Sequence, residues 1–295
     1  MRDFLTGGNM PGQMILRVWD VEHGACAMLT HHLNGHDGRL AMIDSGSKSD
    51  WTPGKHIKHA LNRTTLDYLM ITNADQDHMS GLENLWEEGL SITAFSRNRN
   101  ITAEQMTEIK KQSGPLTRDA QRYIKSMGEY IHPVTHEFND SMGGITRSTF
   151  SNSFPKFRDT NNLSQAIFIK FGPFKMLFPG DLEKSGWQEL LNNDKFKEEL
   201  KGTTILEASH HGRESGFCEE IFDYFNPMAV VISDKPIVHD TQRTVPDYRN
   251  VVHENGVLVK TTGKRRHVLT TRRDGWIQFT VEDNGHFTID TECHG

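Results

Sequence analysis

The chain has 295 residues and a formal charge of −6, with 39 acidic against 33 basic side chains. That length is read as one large domain spanning residues 1–295, and the acidic balance argues against non-specific nucleic-acid binding driven by overall charge while leaving room for a local basic groove. Cys26, Cys218 and Cys293 are odd in number and lack C-x-x-C spacing, which argues against a disulfide framework or a thiolate zinc site and for a reducing, cytoplasmic compartment. No apolar run approaches the roughly 20 residues of a membrane helix, and the N-terminus lacks the order of a signal peptide.

Residues 1–12 carry Gly7, Gly8, Pro11 and Gly12 without periodicity and are read as a flexible arm. Three β-rich stretches, 14–19, 25–30 and 39–43, then predict an antiparallel meander. Two of its apolar stretches run into acids, at Asp20 and at Asp44. His31, His32 and His36 lie in a polar loop without partner carboxylates and are read as solvated. A short helix is expected over 55–62, then a strand over 66–72 and a helix over 81–88. From 97 to 135 the chain turns polar, and Ala120, Tyr123, Ile124, Met127 and Ile131 follow helical spacing, which predicts a helical insertion with one buried face. It is a candidate lid, specificity element or partner-protein surface, or a cap on the sheet edge.

Residues 142–159 read as loop. A hairpin is expected from 166–171 and 175–178 around Gly172-Pro173. A helix over 185–200, a strand over 203–206, a helix over 217–225, a strand over 229–233, a helix over 245–254 and strands over 257–261 and 276–281 complete the pattern. Lys264, Arg265, Arg266, Arg272 and Arg273 form a basic group that suits either phosphate contacts or a solvated hairpin.

Three predicted strands end in metal-ligand side chains: Asp75, Asp77 and His78 after 66–72, Asp181 after 175–178, and His210 and His211 after 203–206. Mixed carboxylate and imidazole suits Zn, Mn or Fe, whereas a set without nitrogen would suit Mg or Ca. A divalent ion held there would activate water near neutral pH and polarise an ester or phosphoryl oxygen.

These motifs carry a resemblance. Thr72-Asn73-Ala74-Asp75-Gln76-Asp77-His78, then Phe178-Pro179-Gly180-Asp181, then Ser209-His210-His211-Gly212 resembles the metallo-β-lactamase superfamily, in its ComEC-type, competence-protein-like branch. Asp20-Val21-Glu22-His23-Gly24, Ile43-Asp44-Ser45-Gly46 and Asn161-Asn162-Leu163-Ser164 extend it. The resemblance implies an α/β four-layer αβ/βα sandwich, with 97–135 as its insertion. It also implies one complete metal site from Asp77, His78, Asp181 and one histidine of the pair, with His210 favoured. The second site, through Asp75 and a residue near Asn161 or Asn162, is degraded, because Asn73 stands where histidine is expected. One tightly held Zn or Mn ion is expected, with a weaker second ion through Asp75. Asp75 or Asp77 is expected to orient water or take its proton, with His211 and His239 binding the anionic oxygen. Asp44 is expected to orient a liganding histidine from behind or to support the adjacent loop, with Asn162 and Ser164 at the substrate side or behind the ligands.

The resemblance favours a metal-dependent hydrolase of phosphodiester bonds, a nuclease or a cyclic-nucleotide phosphodiesterase with a nucleic-acid or nucleotide substrate, in a bacterial setting such as phage defence. The alternatives are a catalytically impaired binding or assembly module, and a hydrolase of a thioester, lactone or amide.

Overall fold

The computed structural model describes residues 12–235 and 243–293. The expected arm at 1–12 falls almost entirely outside them. In chain order the strands are β1 (Gln13–Val18), β2 (Ala27–Leu33), β3 (His36–Ile43), β4 (Thr65–Met70) and β5 (Ser91–Ser96). Then come β6 (Thr146–Ser151), β7 (Gln165–Phe171), β8 (Phe174–Phe178), β9 (Ile205–Glu207) and β10 (Ala229–Ile232). The last are β11 (Val257–Val259), β12 (Lys264–Arg266), β13 (Val268–Thr270), β14 (Ile277–Glu282) and β15 (Phe287–Thr291). Among the described residues they form a sheet in the order β12-β11-β15-β14-β1-β2-β3-β4-β5 and a second in the order β13-β10-β9-β8-β7-β6.

Side-chain alternation explains why the sheets stack. In β4, Tyr68 and Met70 face the core shared with the second sheet, whereas Leu69 faces the helices outside. In β8, Phe174, Met176 and Phe178 point inward and Leu177 points to the opposite outer layer. Strands buried on both faces read as near-continuous apolar runs, broken here by Thr65 and Asp67 in β4 and by Lys175 in β8. Three cores thus separate four layers, the αβ/βα sandwich expected from the sequence.

The strands nearest the ligand motifs run parallel: β3 with β4, β4 with β5, β8 with β9 and β9 with β10. Their C-terminal ends emerge at one edge, where ligands bind in open parallel sheets. The two sheets are tied there by the Gln165 N–H donating to Thr72 O at 2.7 Å and the Ser233 hydroxyl donating to Gly24 O at 2.7 Å.

The insertion is helical, as its spacing predicts. Helices Ala103–Lys111 and Arg118–Glu129 begin at Thr102 and Thr117, whose hydroxyls accept from the third following N–H. Ala120, Tyr123 and Met127 are buried against the outer face of the larger sheet, but Ile131 is 59% exposed. The helix stops at Glu129, so the 3.6-residue period no longer governs Ile131.

Other expectations change. Residues 142–159 contain β6, an edge strand with no fully buried position, so its polar composition concealed it. The helix expected over 185–200 is two, Lys184–Leu190 and Asp194–Leu200, divided where Asn193 caps the second. The helix expected over 217–225 is a 3-10 segment, Glu219–Asp223. Strands β5, β12, β13 and β15 had no sequence counterpart. Cys26 and Cys218 are buried, and all three cysteines are free. Among the described residues no helix is long and apolar enough to cross a membrane.

Candidate metal centre

The centre is assembled from three strand ends. After β4 the chain enters a short helix, Gln76–Met79, that presents Asp77 and His78. Asp181 follows β8, and His211 follows β9. One ligand atom from each of Asp77, His78, Asp181 and His211 lies within 4.8 Å of the other three.

His78 is buried between two carboxylates. Its Nδ1 is 2.8 Å from Asp44 Oδ2 and its Nε2 is 2.9 Å from Asp181 Oδ1. Asp44 also accepts from the Thr72 N–H at 2.7 Å and the Thr72 hydroxyl at 2.6 Å, so its position is fixed from three sides. It stands behind His78 and sets which nitrogen faces the cluster, the role such carboxylates have at liganding histidines. Ser164 accepts from the Asp181 N–H at 3.1 Å and so holds the backbone of that ligand. Asn162 is buried and positions backbone: its Oδ1 accepts from the N–H groups of Glu183 and Gly186. Both residues therefore support the site from behind.

His211 carries the test of whether a metal fits. Its Nδ1 donates to Ser233 O at 2.9 Å, so Nε2 is the nitrogen that can hold either a proton or a cation. That Nε2 is buried without a hydrogen-bond partner, 3.3 Å from Asp77 Oδ2 and 3.6 Å from Asp181 Oδ1. A buried imidazole nitrogen turned toward two carboxylates calls for a proton, which burial opposes but Asp181 and Asp77 favour more strongly, or for a cation in its place, and two imidazoles with two carboxylates suit a divalent transition ion.

The sequence favoured His210, and the structure brings His211 to the cluster instead. Both residues have left-handed backbone, φ 52° and φ 54°, a tight turn that points the two rings in different directions. His210 Nδ1 lies 3.1 Å from Ser215 Oγ and 3.5 Å from Glu183 Oε1. The expected role of His211 as an anion binder is replaced by its place among the candidate ligands. His239 lies outside the described residues.

Asp75 is also absent from the cluster. Lys110, on the first insertion helix, donates to its Oδ1 at 2.7 Å, and the Thr160 hydroxyl donates to its Oδ2 at 2.6 Å. Asn73 is buried, accepting from the Asp75 N–H at 3.2 Å and donating to Asn161 Oδ1 at 3.3 Å. The residues expected to form a weak second site are thus satisfied by one another and by an ammonium.

His23 is a functional candidate that sequence reasoning passed over. Its Nε2 is 3.2 Å from Asp77 Oδ2, and its ring centroid is 4.8 Å from that of His211. The only signal was its place in Asp20-Val21-Glu22-His23-Gly24. Gly24 and Gly46 flank this corner because a Cβ at either would lie 2.4 Å or 2.8 Å from Asp77 O, closer than real side chains come. The basic residues near the C-terminus are largely committed internally: Arg266 pairs with Asp274, Arg272 with Asp234, and Arg265 donates to Asn255 O and Gly256 O.

Electrostatics couple the centre to protons. Burial alone would lower the His78 pKa, but Asp181 and Asp44 raise it well above the imidazole range. Burial raises Asp77, and the surrounding His211, His78 and His23 imidazoles more than reverse this, holding it far below the usual carboxylate range. Burial, then the nearby His211, lowers His23 to about 4, so it is neutral at pH 7. Glu207 is pushed up to about 8 by burial and by Asp44. In the metal-free protein His78 therefore keeps its proton at neutral pH, and an incoming ion must expel it. Zn affinity is expected to rise with pH between 6 and 8 by about tenfold per unit for each proton displaced. Calorimetric titration in buffers of different ionisation enthalpy measures the released protons, and a pH-independent affinity would contradict this.

No protein-family model matches the chain. Over 168 residues, 57% of this chain, it is 26% identical to ComE operon protein 3 of Bacillus subtilis (strain 168). It spans only 20% of that protein's length. Among solved structures it is similar to a diphosphatase from the PhnP family, at 13% identity and TM-score 0.43 over 92% of this chain and 100% of that one. It is also similar to CmlA, a diiron β-hydroxylase from Streptomyces venezuelae, at 16% identity and TM-score 0.49 over 92% of this chain and 55% of that one. The four-layer sandwich, the candidate ligands at its strand ends and the local likeness to ComE operon protein 3 together show a chain that resembles the metallo-β-lactamase superfamily in its ComEC-type branch.

Proposed function

We propose that the chain is a metal-dependent hydrolase acting on phosphodiester bonds. The observation that carries the metal-dependent part is the unpartnered, buried His211 Nε2 facing Asp77 and Asp181 beside a His78 already fixed by Asp44. Asp77, His78, Asp181 and His211 would hold the ion. When bound, a divalent ion supplies Lewis-acid polarisation of a phosphoryl oxygen and activates water at neutral pH.

The chain's own groups do the rest. Asp77, partly exposed and kept ionised, can orient an attacking water, and its depressed pKa makes it a hydrogen-bond acceptor more than a proton acceptor. His23, neutral at pH 7, offers a hydrogen bond at the open side of Asp77 without adding charge. Asp44 keeps the His78 ring in one orientation, which limits rearrangement during reaction. The choice of phosphodiesters over lactams or thioesters rests on the resemblance to the ComEC-type branch, an argument by analogy.

The test is turnover of bis(4-nitrophenyl) phosphate by protein loaded with Mn or Zn, compared with chelated protein. Asp77→Ala and His78→Ala are each expected to lower the rate at least ~100-fold, the scale on which a positioned acid–base group contributes. Bound metal without turnover of any phosphodiester would instead favour the binding-module reading.

A further inference from the structure

Strands β5 and β6 are the edge strands of the two sheets, and between them opens a cavity of about 930 Å³. Its remaining wall comes largely from segment 129–138. It shares no residue with the four-residue cluster, yet Ser96 and Gln165 in its lining hydrogen-bond to the backbone of Ile71 and Thr72 at the end of β4. The volume lies in the range of about 300–1,000 Å³ typical of small-molecule sites.

Three arginines line this cavity, Arg97, Arg99 and Arg147. None is ion-paired among the described residues. Arg97 donates once, to Met127 O at 2.7 Å, and its Nε is buried without a partner. Arg147 lies over the Phe138 ring at 5.3 Å, and its Nη1 is likewise buried and unpartnered. Two acids also line the space: Glu129, which lies 3.6 Å from Lys125, and Glu137, the carboxylate that acts most strongly on Arg147. Arg97 Nε and Arg147 Nη1 have essentially no accessible surface, so a ligand would meet the other N–H groups of these unpaired side chains, whose fork phosphate matches. Tyr68, Phe95, Tyr130 and Phe150 add aromatic surface around the arginines.

We propose that this cavity binds a phosphorylated small molecule of nucleotide size, with its phosphate on Arg97, Arg99 and Arg147. The proposal does not rest on the hydrolase reading and concerns a site apart from the metal centre.

Isothermal titration of the full chain in EDTA tests it, with ADP, inorganic phosphate and adenosine as probes. ADP is expected to bind with a sub-millimolar Kd, inorganic phosphate to bind more weakly and compete, and adenosine not to bind measurably. Arg99→Met and Arg147→Met should each weaken ADP at least tenfold, and Asp77→Ala should leave it unchanged. Arg147→Lys keeps the charge without the fork and should also weaken binding. Arg99 is exposed, so its variant preserves the fold and keeps the test sound should Arg147→Met prove unstable. Failure of ADP to bind at millimolar concentration, or binding lost in Asp77→Ala and indifferent to the arginine variants, would overturn the proposal.

Discussion

His211→Ala is expected to abolish retention of a divalent ion through gel filtration, while His210→Ala retains it within a few-fold. Losing a partner that merely supports a ligand costs roughly 10- to 100-fold in metal affinity, and His211 contributes a candidate donor atom itself, so its loss should exceed that range. The remaining Asp77, His78 and Asp181 would leave two carboxylates without the imidazole that faces both. His210 touches Ser215 and Glu183, neither of which is in the cluster, so its removal acts only on the turn. That turn places two consecutive residues in left-handed backbone, a strain on the order of 1–3 kcal/mol each, held by His210 N–H on Gly180 O and Arg213 N–H on His210 O. Metal-to-protein ratio by mass spectrometry is the readout, with circular dichroism to confirm folding. Retention in His211→Ala and loss in His210→Ala would reverse the assignment.

The same pair shows where sequence reading reaches its limit. That a ligand histidine follows β9 was legible, because an apolar strand runs straight into Ser209-His210-His211-Gly212. Which ring turns inward depends on the backbone angles of a two-residue turn, and no periodicity encodes those. His23 was hidden for a related reason: it gains meaning only when a loop between β1 and β2 packs against the far end of β4, a contact 54 residues away in sequence. The layers themselves were readable because β4 and β8 carry apolar residues on both faces. Edge strand β6 was not, because one face meets solvent and its residues, Thr-Arg-Ser-Thr-Phe-Ser, carry little apolar signal.

Lys110→Met is expected to raise the number of Mn ions bound per chain from one to two. Asn73 at an expected histidine position suggested a weakened second site. The structure supplies a physical reason why that site would be silent in the native chain: the Lys110 ammonium occupies one oxygen of Asp75 and the Thr160 hydroxyl the other. The Lys110 side chain is only 16% exposed, so its charge is poorly screened and competes directly with an incoming cation. Methionine preserves the length and apolar stem while removing the charge, which leaves Asp75 as an uncompensated carboxylate two residues from Asp77. Without added metal the variant should lose up to about 1 kcal/mol of stability, the scale of a partly exposed ion pair. With Mn the added ion should recover that loss, so thermal stability becomes more dependent on Mn concentration than in the native chain. Metal content at saturating Mn, read beside a Mn-dependent melting series, decides the matter. One ion per chain in both proteins would mean that Asn73, and not the lysine, disables the second site. The insertion would then owe its position in the fold to packing against the larger sheet, and Lys110 to neutralising Asp75 alone.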